Sequence, residues 1–173
     1  QVNNKLVAIA LTGTFGGVLS LGDAEVSSRG GRDVFVAKLE QHGAAKPKAR
    51  WVMGFGDEGD QCFDACEMHA EVMGNSTDLI AAGTLHAGAA VTIGGETDNY
   101  TTDAFVVRLD GSSGAVVWKQ RIAATDGAGF VYVQDIALDQ DDNVYVAGAI
   151  NGLLVDFGGG ELGSNGTNNA FVA

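Results

Sequence analysis

The sequence predicts an all-β protein made of repeated, roughly four-stranded antiparallel blades of the β-propeller kind. Three observations predict it. Markers recur in one order at a period of 66–70 residues. Apolar residues alternate over short runs, with no sustained 3.6-residue period. Gly makes up 26 of the 173 residues and collects with Asp, Asn and Ser between those runs, whereas Pro occurs once. That is the punctuation of short strands.

The repeat comes first, because it sets every element. Asp33-Val34-Phe35-Val36-Ala37-Lys38-Leu39 recurs as Asp103-Ala104-Phe105-Val106-Val107-Arg108-Leu109 and begins again as Asn169-Ala170-Phe171-Val172-Ala173, at spacings of 70 and 66. Trp51 and Trp118 lie 67 apart, and Gly13, Gly83 and Gly148 lie 70 and 65 apart. Gly22, Gly94 and Gly158 close a fourth recurring stretch. In the clearest unit, Asp103 to Leu109 is a strand with Phe105 and Val107 on one face and Ala104, Val106 and Arg108 on the other. Ala115 to Ile122, Val131 to Leu138 and Asn143 to Ala149 follow as strands. Asp139 to Asp142 forms a turn stabilised by short polar side chains. Leu153 to Phe157 is a shorter extended piece leading into Gly158-Gly159-Gly160.

The uncharged run from Leu6 to Leu21 spans 16 residues, short of the ~20 a membrane-spanning helix needs. It contains Gly13, Gly16 and Gly17, and Lys5 is the only basic residue before it, so it lacks the basic n-region of a signal peptide. It reads as two strands.

Residues 1–32 are then the end of one blade, 33–102 and 103–168 are complete repeat units, and 169–173 open another, about two and a half units in all. A propeller closes with roughly four to eight blades, and a repeat unit buries its faces only against neighbours. The expected partners are therefore the rest of a longer chain or other copies of this one.

The patterns DAFVVRLD, a following Gly then Trp, DxxDNVYVAG, and VDFGGG leading back to NAFVA resemble the β-propeller repeat family often called seven-bladed propeller (SBBP) repeats. That family occurs in secreted or surface proteins of bacteria and of some algae and related protists. The resemblance covers nearly the whole chain, most strongly residues 102–173. The unit 33–103 departs from it where Cys62-Phe63-Asp64-Ala65-Cys66-Glu67-Met68-His69 replaces the apolar alternation. The resemblance implies a fold and an extracellular or cell-surface location, and no catalytic residues. Leu109 to Lys119 is also similar to the tryptophan-docking repeat of quinone-dependent dehydrogenase propellers, in which Trp locks neighbouring blades. Trp51 and Trp118 are read accordingly as packing anchors.

Formal charge is −12, from 10 Lys+Arg against 22 Asp+Glu. A chain so acidic does not suit nucleic acid, whose binding needs a basic surface.

Three N-glycosylation sequons stand at Asn75, Asn99 and Asn165, and each falls in a polar connection, where acceptor sites belong. Asn99 and Asn165 are 66 apart and occupy one repeat position. Cys62 and Cys66 are a candidate disulfide if the chain turns between them, since residues four apart on a straight strand are separated by ~13 Å. Two free thiols, or a metal site with His69, are the other readings of that pair. Asp139, Asp141 and Asn143 place oxygens at alternate positions, as some calcium loops do, but they lack the EF-hand glycine and distal glutamate. A solvated hairpin turn is the preferred reading there, and no cofactor is expected.

His42, His69 and His86 fall in no hydrolase or zinc-protease motif. The function expected is an extracellular structural or interaction module that presents loops to protein or glycan, with no membrane insertion. The alternative is an extracellular propeller enzyme, carbohydrate-active or quinone-dependent, with its site between or outside these blades.

Overall fold

The computed structural model describes residues 6–59, 68–86, 90–93, 95–99, 102–126, 129–166 and 168–173. All regular structure among them is β. The strands are β1 (Leu6–Phe15), β2 (Val18–Leu21), β3 (Ala24–Ser27), β4 (Asp33–His42), β5 (Lys48–Phe55), β6 (Met68–Val72), β7 (Leu79–His86) and β8 (Ala90–Ile93). They continue with β9 (Glu96–Asn99), β10 (Thr102–Leu109), β11 (Val116–Ala124), β12 (Phe130–Leu138), β13 (Val144–Asn151), β14 (Leu154–Asp156), β15 (Glu161–Gly163) and β16 (Asn169–Val172). The expected strands from Asp103 to Phe157 are present within a few residues of their limits. The uncharged N-terminal run is β1 and β2, divided at Gly16-Gly17, where Gly17 takes φ +74°.

These strands form three antiparallel meanders of one design. The first sheet runs β1-β4-β5, the second β6-β7-β10-β11, and the third β12-β13-β16. A short hairpin interrupts each meander just before the strand that opens the repeat: β2–β3 between β1 and β4, β8–β9 between β7 and β10, and β14–β15 between β13 and β16, the first sheet having no counterpart of β6 and β12 among the described residues. The third hairpin joins the edge of the second sheet, with Ala123 opposite Asp156 and Ala124 opposite Val155. The second touches the end of the first sheet through a bridge between Gly56 and Thr92. The sequence repeat opens at Asp33, Asp103 and Asn169, in β4, β10 and β16, each the strand that follows an inserted hairpin. Repeat and sheet therefore have the same period but different phase.

Register repeats along with order. Gly13 lies opposite Phe35, Gly83 opposite Phe105 and Gly148 opposite Phe171. A bulge follows Lys38 in β4 and Arg108 in β10, and each of these cations lies opposite a tryptophan, Trp51 or Trp118.

The sheets stack face to face, and alternation assigns each residue to one neighbour. Leu79, Ala81, Leu85, Phe105, Val107 and Leu109 face the first sheet and pack on Val34, Val36, Trp51 and Phe55. Their sequence neighbours Ile80, Ala82, Ala104 and Val106 face the third sheet and pack on Val131, Val133, Ile136, Val146 and Ile150. The second sheet is thus covered on both sides. The outer face of the first carries Phe15, Phe35, Ala37 and Val52 under its own hairpin, with Leu19, Leu21 and Val26 against them.

Candidate functional site

A dense polar cluster lies where the first sheet meets the turn between β10 and β11. Bulge and alternation aim Lys38 and Trp51 at that turn. Lys38 Nζ donates to the Gly111 carbonyl at 2.8 Å, and Trp51 Nε1 donates to the same oxygen at 3.2 Å. Lys38 is 2% exposed and also lies 3.4 Å from Glu40 Oε1. On the far side of the turn, the Gly111 amide donates to Asp78 Oδ1 at 2.9 Å, while Arg108 grips Asp78 Oδ2 through Nε at 2.9 Å and Nη2 at 2.7 Å. Arg50 Nε reaches the Ser112 carbonyl at 3.2 Å. Within the turn, Asp110 Oδ1 accepts from the hydroxyls and amides of Ser112 and Ser113. Those bonds, led by the Ser112 hydroxyl, hold its carboxyl well below the usual range. Every oxygen named here is met by a donor, so the cluster acts as a latch between sheets. The latch was legible only in part. Trp51 was visible as an anchor, but Lys38, Asp78 and Gly111 were not. The one signal for them was a cation at the same repeat position in two apolar strands.

A second junction joins two expected features that are far apart in sequence. The turn after β6 places the Gly74 and Asn75 amides on the Asp142 carboxylate at 2.9 and 3.0 Å, and Asn75 Nδ2 donates to the Gln140 carbonyl at 3.3 Å. The sequon Asn75 therefore sits against the acidic loop 139–143, and it is exposed. In that loop Asp139 Oδ1 accepts from the Asp141 and Asn143 amides, and Oδ2 accepts from Asn143 Nδ2 and Tyr145 Oη. Asn143, through side chain and amide, does most to depress the Asp139 pKa. These are the bonds of a capped hairpin turn. Asp141 is exposed.

Asn165 is exposed, and its Oδ1 accepts from Asn169 Nδ2 at 2.8 Å. Asn99 pairs with Ala90 at the open end of the β8–β9 hairpin. Cys62 and Cys66 lie outside the described residues. His69 Nδ1 is 3.7 Å from Asp135 Oδ1, across the second and third sheets. Among the described residues no three His, Cys, Asp or Glu side chains gather around a metal position. No helix among them is long and apolar enough to cross a membrane.

Two hollows flank the β4–β5 connection. One, about 430 Å³, is lined by Ser20, Leu21, Asp23, Leu39, Pro47 and Lys48 among others. The other, about 390 Å³, is lined by Glu40, His42, Lys46, Lys48 and Arg50 with two alanines. In the first, the Ser20 hydroxyl donates to Glu25 Oε2 at 3.0 Å.

Comparison with protein-family models, with curated proteins and with solved structures returns no significant match.

Proposed function

We propose that this chain is a stretch of β-propeller serving as an extracellular structural or interaction scaffold. Its sheets are the blades, and its turns and glycans are the displayed surface. One observation carries the reading. The same strand order, with the same inserted hairpin and the same Gly–Phe register, occurs three times, and successive sheets pack through equivalent positions. Such economy suits a frame. The polar latch joins sheet to sheet through Lys38, Trp51, Asp78 and Arg108, which suits a frame. Asn75 stands in a turn, Asn165 in a connection and Asn99 at the end of β9, and glycans at these three sequons fit the reading. The resemblance and the sequons support extracellular residence.

Two measurements test it. Electron microscopy of the native protein should find the sheets arranged about a common axis, and two sheets closed as a sandwich would refute the propeller. After secretion from a eukaryotic host, intact mass should fall on deglycosylation. An unchanged mass would refute the glycoprotein half and leave the fold untouched.

A further inference from the structure

The repeat is interrupted in the connection between β4 and β5, and the interruption carries charge. The step from Leu109 to Trp118 is 9 residues, whereas the step from Leu39 to Trp51 is 12. The extra length replaces the compact Asp110–Ala115 turn with a longer connection, from His42 to Lys48. In repeat proteins such insertions collect on loops of one face, often the one that binds. Lys46, Lys48 and Arg50 are 3 of the 10 Lys+Arg in a chain of net charge −12. All three are exposed, and with His42 and Glu40 they line the hollow of about 390 Å³.

Backbone geometry sets these cations in place. Pro47, the one proline of the chain, fixes φ between the two lysines and keeps Lys46 extended. Lys48 opens β5 opposite Glu40. Arg50 is the extra residue of the bulge, since Trp51 pairs with Lys38 and Ala49 with Leu39. A bulge re-aims a side chain, and the counterpart of Arg50 in the second sheet is the apolar Val117.

The protein's own carboxylates do not consume this charge. Lys46, Lys48 and Arg50 make no ion pair among the described residues. Arg50 donates Nε to an uncharged partner, the Ser112 carbonyl, at 3.2 Å. Glu40, in the wall, lies 3.4 Å from the buried Lys38 Nζ, and Asp110 accepts from the Ser112 and Ser113 hydroxyls. Like charges held in one hollow repel, and a bound anion relieves that cost. The hollow also opens beside an interface whose two sheets are both present, because Lys38 and Arg50 each bond the β10–β11 turn.

We propose that this hollow binds a compact oxyanion, a sulfate or phosphate group either free or esterified to a sugar. Lys46 and Lys48 act as point charges, and the Arg50 guanidinium is the planar donor. The volume is that of a small-ligand site, and the chain's overall negative charge disfavours a long polyanion. The site goes beyond the scaffold reading and is compatible with a frame or an enzyme alike.

The test is amide NMR of the 173-residue chain titrated at constant ionic strength with sodium sulfate, sodium phosphate and glucose 6-sulfate, with glucose as the uncharged control. Amides of residues 42–50 should shift on one saturating curve with the anions and stay still with glucose. Tighter binding of glucose 6-sulfate than of sulfate identifies a sugar-borne ligand, and equal binding identifies the free ion. Lys48→Gln and Arg50→Gln should each weaken binding about tenfold, the worth of one charged hydrogen bond. Arg29→Gln makes the same charge change at an exposed position between β3 and β4 and should leave binding unchanged. Shifts that grow without saturating overturn the proposal, and so does a loss from Arg29→Gln equal to that from Lys48→Gln, since either means diffuse attraction. Far-UV circular dichroism checks each variant's fold, and Lys46→Gln replaces Arg50→Gln if that variant unfolds. Failure of the anion site leaves the scaffold reading standing.

Discussion

A glycine opposite a phenylalanine is the smallest unit of this design. At Gly148 an added Cβ would stand 2.0 Å from the Tyr132 carbonyl oxygen and 2.7 Å from the Phe171 ring. At Gly13 it would meet only the Phe35 ring, at 2.9 Å. A ring edge can shift a few tenths of an ångström, whereas a hydrogen-bonded strand cannot shift alone. Gly148→Ala is therefore expected to cost about 2–3 kcal/mol and Gly13→Ala about 1 kcal/mol. Urea unfolding of the two variants checks the order, and equal losses would show that the ring alone sets the cost. The recurring Gly and Phe were plain in the sequence at constant spacing. That they face one another was not, because register depends on hairpin length, and the hairpins between them differ in sequence.

Elements are tied together by turns, and the two tryptophans show how far position in the stack decides a residue's worth. Trp51 is 7% exposed and its ring closes on Gly114, where φ is +76° and an added Cβ would stand 2.8 Å away. Trp118, at the same register position one sheet later, is 38% exposed. Trp51→Ala is expected to cost about 3–5 kcal/mol and Trp118→Ala about 2 kcal/mol, measured by denaturant midpoint. In emission, loss of Trp51 should leave a red-shifted spectrum and loss of Trp118 a blue-shifted one. Turn carboxylates act with pH. Asp110 and Asp139 are both held below their ordinary value of 3.8 by hydrogen bonds. A depressed folded pKa means the charged form is favoured by folding. The stabilisation is thus complete above the unfolded value and is lost as pH falls through each folded one. The double variant Asp110→Asn, Asp139→Asn should have a lower urea midpoint than wild type at pH 7, with a gap that narrows towards pH 2.5. A gap independent of pH would assign the turns' contribution to geometry alone. The strands and the Asp139 turn were legible because alternation and turn chemistry are local. The phase of the sheets was not, since the repeat marks where the sequence recurs and hydrogen bonding decides where a sheet begins.

Across the whole molecule, a stack of three sheets has one interior member. The sequence hints at this. β7 opens on Leu79-Ile80-Ala81-Ala82, apolar on both faces, where β13 reads Val144-Tyr145-Val146-Ala147, with the large tyrosine on its outer face. Alternation alone cannot say which faces are covered, because an apolar residue looks the same in a sequence whether a neighbour sheet packs on it or solvent does. Burial settles it: Leu79, Ile80, Ala81, Ala82 and Leu85 have no exposure, whereas Val7, Ile9 and Leu11 on β1 are each more than a third exposed. In a linear stack, stability is a sum of sheet terms and nearest-neighbour interfaces, so opening an end sheet breaks one interface and opening the middle breaks two. Hydrogen exchange should therefore rank the amides. Those of β7 and β10 should exchange slowest, through global unfolding, while those of β1, β15 and β16 exchange by local opening. Phe105→Leu in the middle should lower protection in all three sheets together. Tyr145→Ala at the outer face should lower it in β12, β13 and β16 and leave β7 unchanged. Protection that is uniform along the chain, or higher in β1 than in β7, would mean the sheets do not unfold as stacked neighbours.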